Sequence, residues 1–331
     1  MSTNKKIAIL GGGSWATALV KILSNNTSEL LWWMRNEETV NYIKETKRNP
    51  KYLSSVPINT EIVNVSSDLK TTCEKADIIV LAVPSAFVHE TLSSLQINLS
   101  SKIFFSAVKG IIPERNQIVG EYIQNEYHVP LKQIGVITGP CHAEEVALER
   151  LSYLTIACET TSIADLMANQ LRCRYIKTTT SDDIYGTEYS AVLKNIIAVS
   201  AGMAHGLGYG DNYVSVLISN AIREINRFVD AIHPISRDIK DSAYLGDLLV
   251  TTYSKFSRNR MFGTYIGKGY SVKMAQMDMK MVAEGYYAVK CIKEMNKDLE
   301  VNMPITDAVY AIVYEKMSPR IEFKLLSELL D

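Results

Sequence analysis

A chain of 331 residues, 47% hydrophobic and 21% charged, exceeds the usual single domain, so two domains are expected. Its 35 basic and 36 acidic residues leave a net charge of −1, which provides no field for gripping nucleic acid or an anionic membrane. No stretch approaches the ~20 apolar residues of a membrane span, and the N-terminus lacks the apolar core of a signal peptide, so a cytoplasmic protein is expected.

Lys5 to Leu10 reads as a short buried strand, followed by Gly11-Gly12-Gly13-Ser14-Trp15-Ala16 and a helical Thr17 to Leu23. In a dinucleotide site Gly11 permits the tight turn, Gly13 lets backbone approach a pyrophosphate, and Ala16 lets helix and strand pack closely. The free N–H groups of the helix then face the anion. The second strand, Glu29 to Met34, ends in Arg35-Asn36, where an NAD-binding sheet carries an acid for the ribose hydroxyls. A guanidinium there suits a 2′-phosphate or an adenine face, so both NAD and NADP stay open as cofactors.

Further strands are expected at Glu61 to Val65, Ala76 to Val83, Lys102 to Ala107, Ile134 to Thr138 and Ser152 to Cys158. Helical stretches fall between them, with Asp68 as a cap, Pro113 as a first-turn residue and Glu145 in a short helix after Gly139-Pro140. This alternation predicts an α/β fold with an N-terminal Rossmann-like, doubly wound parallel sheet over residues 1–186. Ligands in such sheets bind beyond the carboxyl ends of the strands, which points to Pro84-Ser85, Lys109-Gly110 and Gly139-Pro140-Cys141-His142-Ala143.

From about Thr187 helical periodicity takes over, predicting an all-α C-terminal domain over residues 187–331. Gly206, Gly208 and Gly210 have no preceding strand and read as a helix–helix turn. Lys194 interrupts the apolar run Ser190 to Val199. A buried ammonium costs several kcal/mol unless partners compensate, and its pKa falls toward the range of a general acid/base. A lysine that reaches the surface along its own stem is the plainer reading of the same run. Gly246-Asp247 forms a further break, and Ser257-Arg258-Asn259 offers a hydroxyl, a planar cation and an amide, a set suited to phosphate and equally to a solvated turn.

Cys73, Cys141, Cys158, Cys173 and Cys291 are scattered, which suits free thiols in a reducing compartment. The five histidines lie far apart without ligand spacing, so no metal site is expected.

Together these segments resemble the NAD(P)-dependent glycerol-3-phosphate dehydrogenase family of the bacterial type, from about Lys5 to about Leu326. The resemblance rests on Gly11 to Ala18, Val108-Lys109-Gly110, Gly139-Pro140, Val192 to Ala198, Leu245 to Leu248, Ser257 to Arg260, Val282 to Tyr286 and Met303 to Thr306. It implies a catalytic set of Lys194 (proton acceptor or donor), Asp247, Lys109 and Asn195. It implies substrate contacts at Lys109, Gly139, Cys141, Lys194, Asp247, Ser257, Arg258 and Asn259. It implies NAD or NADP contacts at Gly11, Gly13, Ser14, Trp15, Ala16, Arg35, Tyr52, Lys109, Ala143, Arg258, Val282 and Glu284. The implied substrates are dihydroxyacetone phosphate and glycerol 3-phosphate, in an active site between the domains of a homodimer that supplies glycerophospholipid synthesis.

Cys141 stands where the family usually has Ser or Thr, His142 where it has an aromatic apolar residue, and Tyr244 where a small residue is common. A thiol is a weaker hydrogen-bonding group than a hydroxyl, so substrate affinity or thiol sensitivity is the property these departures touch. Two rival readings share parts of the pattern. A two-domain reductase of a non-phosphorylated hydroxy acid, such as ketopantoate, shares the glycine turn and a helical-domain lysine but has no need of Ser257-Arg258-Asn259. A non-catalytic NAD(P) sensor has no reason to bury Lys194 or carry Asp247.

Overall fold

The computed structural model describes residues 5–279 and 283–331. The chain divides into two compact units: unit 1 comprises residues 1–108 and 119–184, and unit 2 comprises Lys109–Ile118 and Tyr185–Asp331.

Unit 1 holds a sheet of eight strands: β1 (Ile7–Leu10), β2 (Leu30–Trp33), β3 (Val63–Ser66), β4 (Ile78–Leu81), β5 (Ile103–Ser106), β6 (Ile134–Thr138), β7 (Ser152–Cys158) and β8 (Ile176–Ser181). Its order is β3-β2-β1-β4-β5-β6-β7-β8. The central strands β1, β4 and β5 are buried at every position, as apolar runs covered on both faces must be. The sequence order reverses direction between β1 and β4, and that switch point lies directly beyond Leu10 and Leu81. Helices α1 (Ser14–Leu23), α2 (Glu37–Thr46), α3 (Leu69–Lys75), α4 (Val88–Ser93), α5 (Val119–Tyr127), α6 (Ala143–Ala147) and α7 (Thr161–Leu171) complete the unit. Asp68 caps α3 by accepting from Thr71 N, as its position before the helix predicted.

Three expectations for residues 1–186 need correction. The sheet is parallel except between β6 and β7, because the chain after Thr138 returns toward the sheet from the same end. Strand β8, which the hydrophobic pattern missed, is an edge strand in which Thr178, Thr179 and Thr180 replace an apolar alternation; it pairs in parallel with β7. Pro113 is in a turn bridged by Ile112 and Gln117 and starts no helix.

Unit 2 is helical: α8 (Ile184–Leu207), α9 (Asp211–Ile232), α10 (Asp247–Tyr253), α11 (Arg258–Gly267), α12 (Val272–Asp278), α13 (Glu284–Leu299), α14 (Pro304–Val313) and α15 (Pro319–Ser327), with Ile184 itself counted in unit 1. Helix α8 is buried from Gly186 through Ala204, the property of a central helix that is apolar on all sides. Tyr189, Phe228, Phe262 and Phe323 are the bulk of the core around it. The turn from Gly208 to Gly210 joins α8 to α9, and Gly208 uses the positive φ that only glycine adopts freely. Asp247 is not in a break as expected: a π-helical turn, Ser242–Gly246, runs straight into α10 and carries Asp247 inward. Among the described residues no helix is long and apolar enough to cross a membrane.

Candidate active site

In unit 1 the glycine turn sits at the switch point. Gly11 has φ +137°, and a Cβ there would stand 2.5 Å from Ala82 O, so the turn admits no side chain. Trp32 Nε1 donates to Gly11 O at 2.7 Å and Gly11 N donates to Trp33 O at 2.9 Å, which pins the turn to β2. Gly13 caps α1 without any side-chain hydrogen bond, the first turn of α1 has no acid, and nothing lies within 4 Å of where a Gly13 Cβ would be. Open space in front of unclaimed N–H groups is what a pyrophosphate needs. Buried Trp15 Nε1, Ser106 Oγ at the end of β5 and Thr138 Oγ1 at the end of β6 have no hydrogen-bond partner among the described residues. Such atoms at the carboxyl ends of strands fit a polar ligand, since buried polar groups are otherwise satisfied. These residues therefore fit a nicotinamide dinucleotide.

Arg35 lies just past β2, three-quarters exposed, with a guanidinium nitrogen 3.6 Å from Glu90 Oε1 and its carbon 5.9 Å from the Phe87 ring centre. Gly139 has φ +112°, and a Cβ there would meet Tyr153 O at 2.8 Å. Cys141 and Ala143 follow it, both buried, at the start of α6.

The chemistry of unit 2 centres on Asp247. Its carboxylate forms an ion pair with Lys194 Nζ through Oδ1 and with Lys109 Nζ at 3.2 Å through Oδ2. The Lys194 and Asp247 side chains are 5% and 2% exposed, so the snorkelling alternative fails. Burial pulls the Lys194 ammonium down to about 7; the Asp247 charge opposes that shift and the Lys109 charge adds to it. Burial pushes Asp247 upward, but the charges of Lys109 and Lys194 outweigh it and hold the carboxyl below its usual range. One carboxylate between two ammonium groups leaves a net positive charge when both are protonated, and neutralising Lys194 relieves it. This arrangement keeps a proton on the Lys194 amine exchangeable near neutral pH.

A chain of amides fixes the cluster. Asn195 Nδ2 donates to Lys109 O at 2.6 Å, Asn259 Nδ2 donates to Asn195 Oδ1 at 2.9 Å, and Gly285 N donates to Asn259 Oδ1 at 2.9 Å. Helices α8 and α11 meet backbone to backbone: a Cβ on Gly202 would stand 2.0 Å from Arg260 O, and one on Gly263 would stand 1.9 Å from Val199 O. Ser257 caps α11, its Oγ accepting from Arg260 N at 3.2 Å. Ser257 and Asn259 are buried, so the segment is no solvated turn.

Unit 2 thus gathers Lys109, Lys194, Asn195, Asp247 and Asn259 by direct contact, with Ser257 and Arg258 on the same helix start as Asn259 and Glu284 next to Gly285. Unit 1 gathers Gly11, Gly13, Ser14, Trp15 and Ala16 in one turn; Arg35, Tyr52, Gly139, Cys141 and Ala143 belong to that unit too. Val282 lies outside the described residues. Sequence reasoning missed Asn49, fully buried, whose Nδ2 reaches Gly12 O at 3.1 Å and Thr17 Oγ1 at 2.9 Å while its Oδ1 accepts from Tyr52 N at 3.2 Å. The Asn49-Pro50 pair was its only local signal, and it marks a turn, not a contact. Gly202 and Gly263 were also missed, because helix–helix proximity has no local signature.

The comparisons with known proteins agree with this geometry. The N-terminal domain pattern of NAD-dependent glycerol-3-phosphate dehydrogenase matches residues 6–164, and the C-terminal pattern matches residues 183–324. Glycerol-3-phosphate dehydrogenase [NAD(P)+] of Exiguobacterium sp. is 36% identical over 323 residues, covering 97% of this chain and 94% of its own. The protein of the same name from Oceanobacillus iheyensis is 37% identical over 317 residues, covering 96% of this chain and 92% of its own. The crystal structure of glycerol-3-phosphate dehydrogenase from Coxiella burnetii superposes with a TM-score of 0.89 at 27% identity, covering 98% of each chain. A Rossmann-like unit with a glycine turn, a helical unit with a buried lysine–aspartate cluster, and full-length likeness lead to one assignment: the chain belongs to the NAD-dependent glycerol-3-phosphate dehydrogenase family.

Proposed function

We propose that this protein is a glycerol-3-phosphate dehydrogenase catalysing the reversible NAD(P)H-dependent reduction of dihydroxyacetone phosphate to sn-glycerol 3-phosphate. The observation that carries the reading is Asp247 held between the ammonium groups of Lys194 and Lys109 in a buried site. When bound, the reduced dinucleotide supplies the hydride. Lys194 gives its proton to the C2 oxygen during reduction and takes one from the C2 hydroxyl during oxidation. Asp247 orients that ammonium and keeps it hydrogen-bonded whichever way the proton moves, and Lys109 adds positive charge where the oxyanion develops. Ser257 and Arg258 take the substrate's phosphate, whose binding energy orients the remote carbonyl. The internal hydrogen bonds of Asn195 and Asn259 support positioning roles for both, and each amide keeps a second N–H that is assigned to the substrate. Gly139 and Cys141 are assigned to the substrate as well.

Gly11, Gly13, Ser14, Trp15 and Ala16 are assigned to the dinucleotide, with Arg35, Tyr52, Ala143, Arg258, Val282 and Glu284 as its further contacts. Residues 1–186 form the cofactor domain in this reading and residues 187–331 the catalytic domain. The family resemblance supports a cytoplasmic homodimer that does not bind nucleic acid and whose product feeds glycerophospholipid synthesis.

The test is oxidation of NADH and NADPH, followed by absorbance, with dihydroxyacetone phosphate. Turnover abolished in Lys194→Ala supports the proposal. Cofactor binding without turnover, or turnover confined to a non-phosphorylated keto acid, overturns it.

A further inference from the structure

We propose that unit 2 carries a second anion site, for a soluble phosphate-bearing ligand, on the face of α11 turned away from the Lys194–Asp247 cluster. A cavity of about 320 Å³ is lined there by Lys255, Arg260 and Lys268 with His205 from the end of α8, and by the hydroxyls of Ser254, Ser257 and Thr264. Arg260, Thr264 and Lys268 follow Ser257 at helical spacing and so share one face of α11, whereas Asn259 points the other way to Asn195. Lys109, Lys194, Asp247 and Arg258 are not among the lining residues.

No carboxylate lines the cavity, and none of the Lys255, Arg260 and Lys268 charges has an ion-pair partner among the described residues. Asp278, outside the lining, interacts with the Tyr265 hydroxyl at the cavity wall. The hydroxyls are also committed in one sense. Ser254 Oγ accepts from Phe256 N at 3.1 Å and Ser257 Oγ accepts from Arg260 N at 3.2 Å, which leaves each O–H as a donor. Thr264 Oγ1 gives its own proton to Arg260 O at 2.9 Å, so the cavity presents three cationic side chains and two hydroxyl protons beside one hydroxyl oxygen, an inventory dominated by donors. Phosphoryl oxygens are acceptors only and match it; a metal ion or a neutral sugar does not. The volume exceeds that of one phosphate group, so a ligand with several phosphoryl groups or a phosphate on a larger body fits.

Ser257 is the wall shared with the proposed substrate site. An anion that draws its hydroxyl into this cavity weakens the hold on the substrate's phosphate, a consequence that rests on the function proposed above. Binding itself does not depend on it.

Tripolyphosphate is the probe. Calorimetry on the full chain should show a site whose affinity falls by about tenfold or more in the double variant Arg260→Gln/Lys268→Gln, and weakens with added salt. The same site should persist in Arg258→Gln. Unchanged affinity in the double variant, or loss in Arg258→Gln alone, overturns the proposal, and circular dichroism checks that each variant is folded. Tripolyphosphate should raise KM for dihydroxyacetone phosphate in the parent protein and not in the double variant; an equal rise in both places the anion in the substrate site instead. Sedimentation with phosphatidylcholine vesicles containing phosphatidic acid separates the sources. No capture of the parent protein supports a soluble ligand, whereas capture abolished in the double variant overturns that source in favour of a lipid headgroup.

Discussion

Asn195 and Asn259 are joined by a buried side-chain hydrogen bond of 2.9 Å, and each uses the other end of its amide on backbone, at Lys109 O and Gly285 N respectively. Four chain segments therefore depend on two side chains. Replacing Asn259 with Ala leaves an acceptor on Asn195 and the N–H of Gly285 unpaired in a buried place, at roughly 1–3 kcal/mol for each orphaned group. Asn259→Ala should lower the urea midpoint by an amount corresponding to about 2–6 kcal/mol and raise KM for the substrate. An unchanged midpoint would show that the relay is not holding the helices.

The Lys194 amine gives the two reaction directions opposite pH limbs. With its pKa drawn down to about 7, the neutral amine needed for oxidation accumulates as pH rises through that value, while the ammonium needed for reduction is lost. Thus kcat/KM for glycerol 3-phosphate should rise through pH 7 and kcat/KM for dihydroxyacetone phosphate should fall, both measured in the same buffers. Lys194→Ala should lower kcat by about 10²-fold or more and abolish both limbs. Stability moves with the same group. Between about 7 and 10.5 the native state holds fewer protons than the unfolded chain, so this lysine's contribution makes the protein more stable as pH rises across that window.

Much of this was legible before the structure. The strand–glycine–helix start announced its site because each glycine answers a local steric demand, as Gly11 does at 2.5 Å from Ala82 O. Lys194 was legible because a charge in an apolar helix violates the surrounding pattern. The hold of Asn49 on the glycine turn, the close approach at Gly202 and the trans-acting Glu224 were not, since the partners involved are 32 or more residues away or on another helix. Strand β8 was hidden because an edge strand can be threonine-rich without a hydrophobic period, and the inward turn of Asp247 because a π-helical segment shifts the helical phase of α10 behind it.

The close approach of α8 and α11 makes a methyl group there destructive. A Gly263→Ala side chain would begin 1.9 Å from the Val199 carbonyl oxygen, and the obstacle is backbone, not a movable side chain. Overpacking of this kind costs about 1–3 kcal/mol or more, and the helices that separate carry Asn195 and Asn259 apart. Gly263→Ala should therefore lose stability and raise KM together, whereas Gly210→Ala, with nothing within 4 Å of its Cβ, should cost only the small loss of a glycine N-cap and leave KM unchanged. Denaturant melts and steady-state kinetics on both variants provide the comparison.

Arg35 should set the preference between NADP and NAD. Its guanidinium stands free enough to reach a 2′-phosphate, yet Glu90 at 3.6 Å competes for it and repels that phosphate. Arg35→Ser should reduce kcat/KM with NADPH by about tenfold and with NADH far less. Glu90→Gln should shift the ratio toward NADPH. A variant pair in which both ratios stay fixed would remove Arg35 from the cofactor site.

Glu224 caps a helix to which it does not belong. Pro304 begins α14 without an N–H, Met303 provides no side-chain cap, and the next two donors, Ile305 N and Thr306 N, both reach the Glu224 carboxylate, at 2.9 and 3.0 Å, together with the Thr306 hydroxyl. Burial raises this carboxyl from 4.5 to about 7 against the pull of those hydrogen bonds and of Arg227. The folded state then binds more protons than the unfolded chain over that interval, so the stabilisation from this group is full below pH 4.5 and is lost as pH rises through about 7. Glu224→Gln removes the titration while keeping an amide oxygen for one of the two N–H groups. Its unfolding free energy should consequently fall less steeply than that of the parent between pH 4.5 and 7. Glu224→Ala, which strands both N–H groups, should be the less stable variant by about 1–3 kcal/mol at every pH in that range. Urea melts across the interval test both, and parallel pH slopes for parent and Glu224→Gln would place the titration elsewhere.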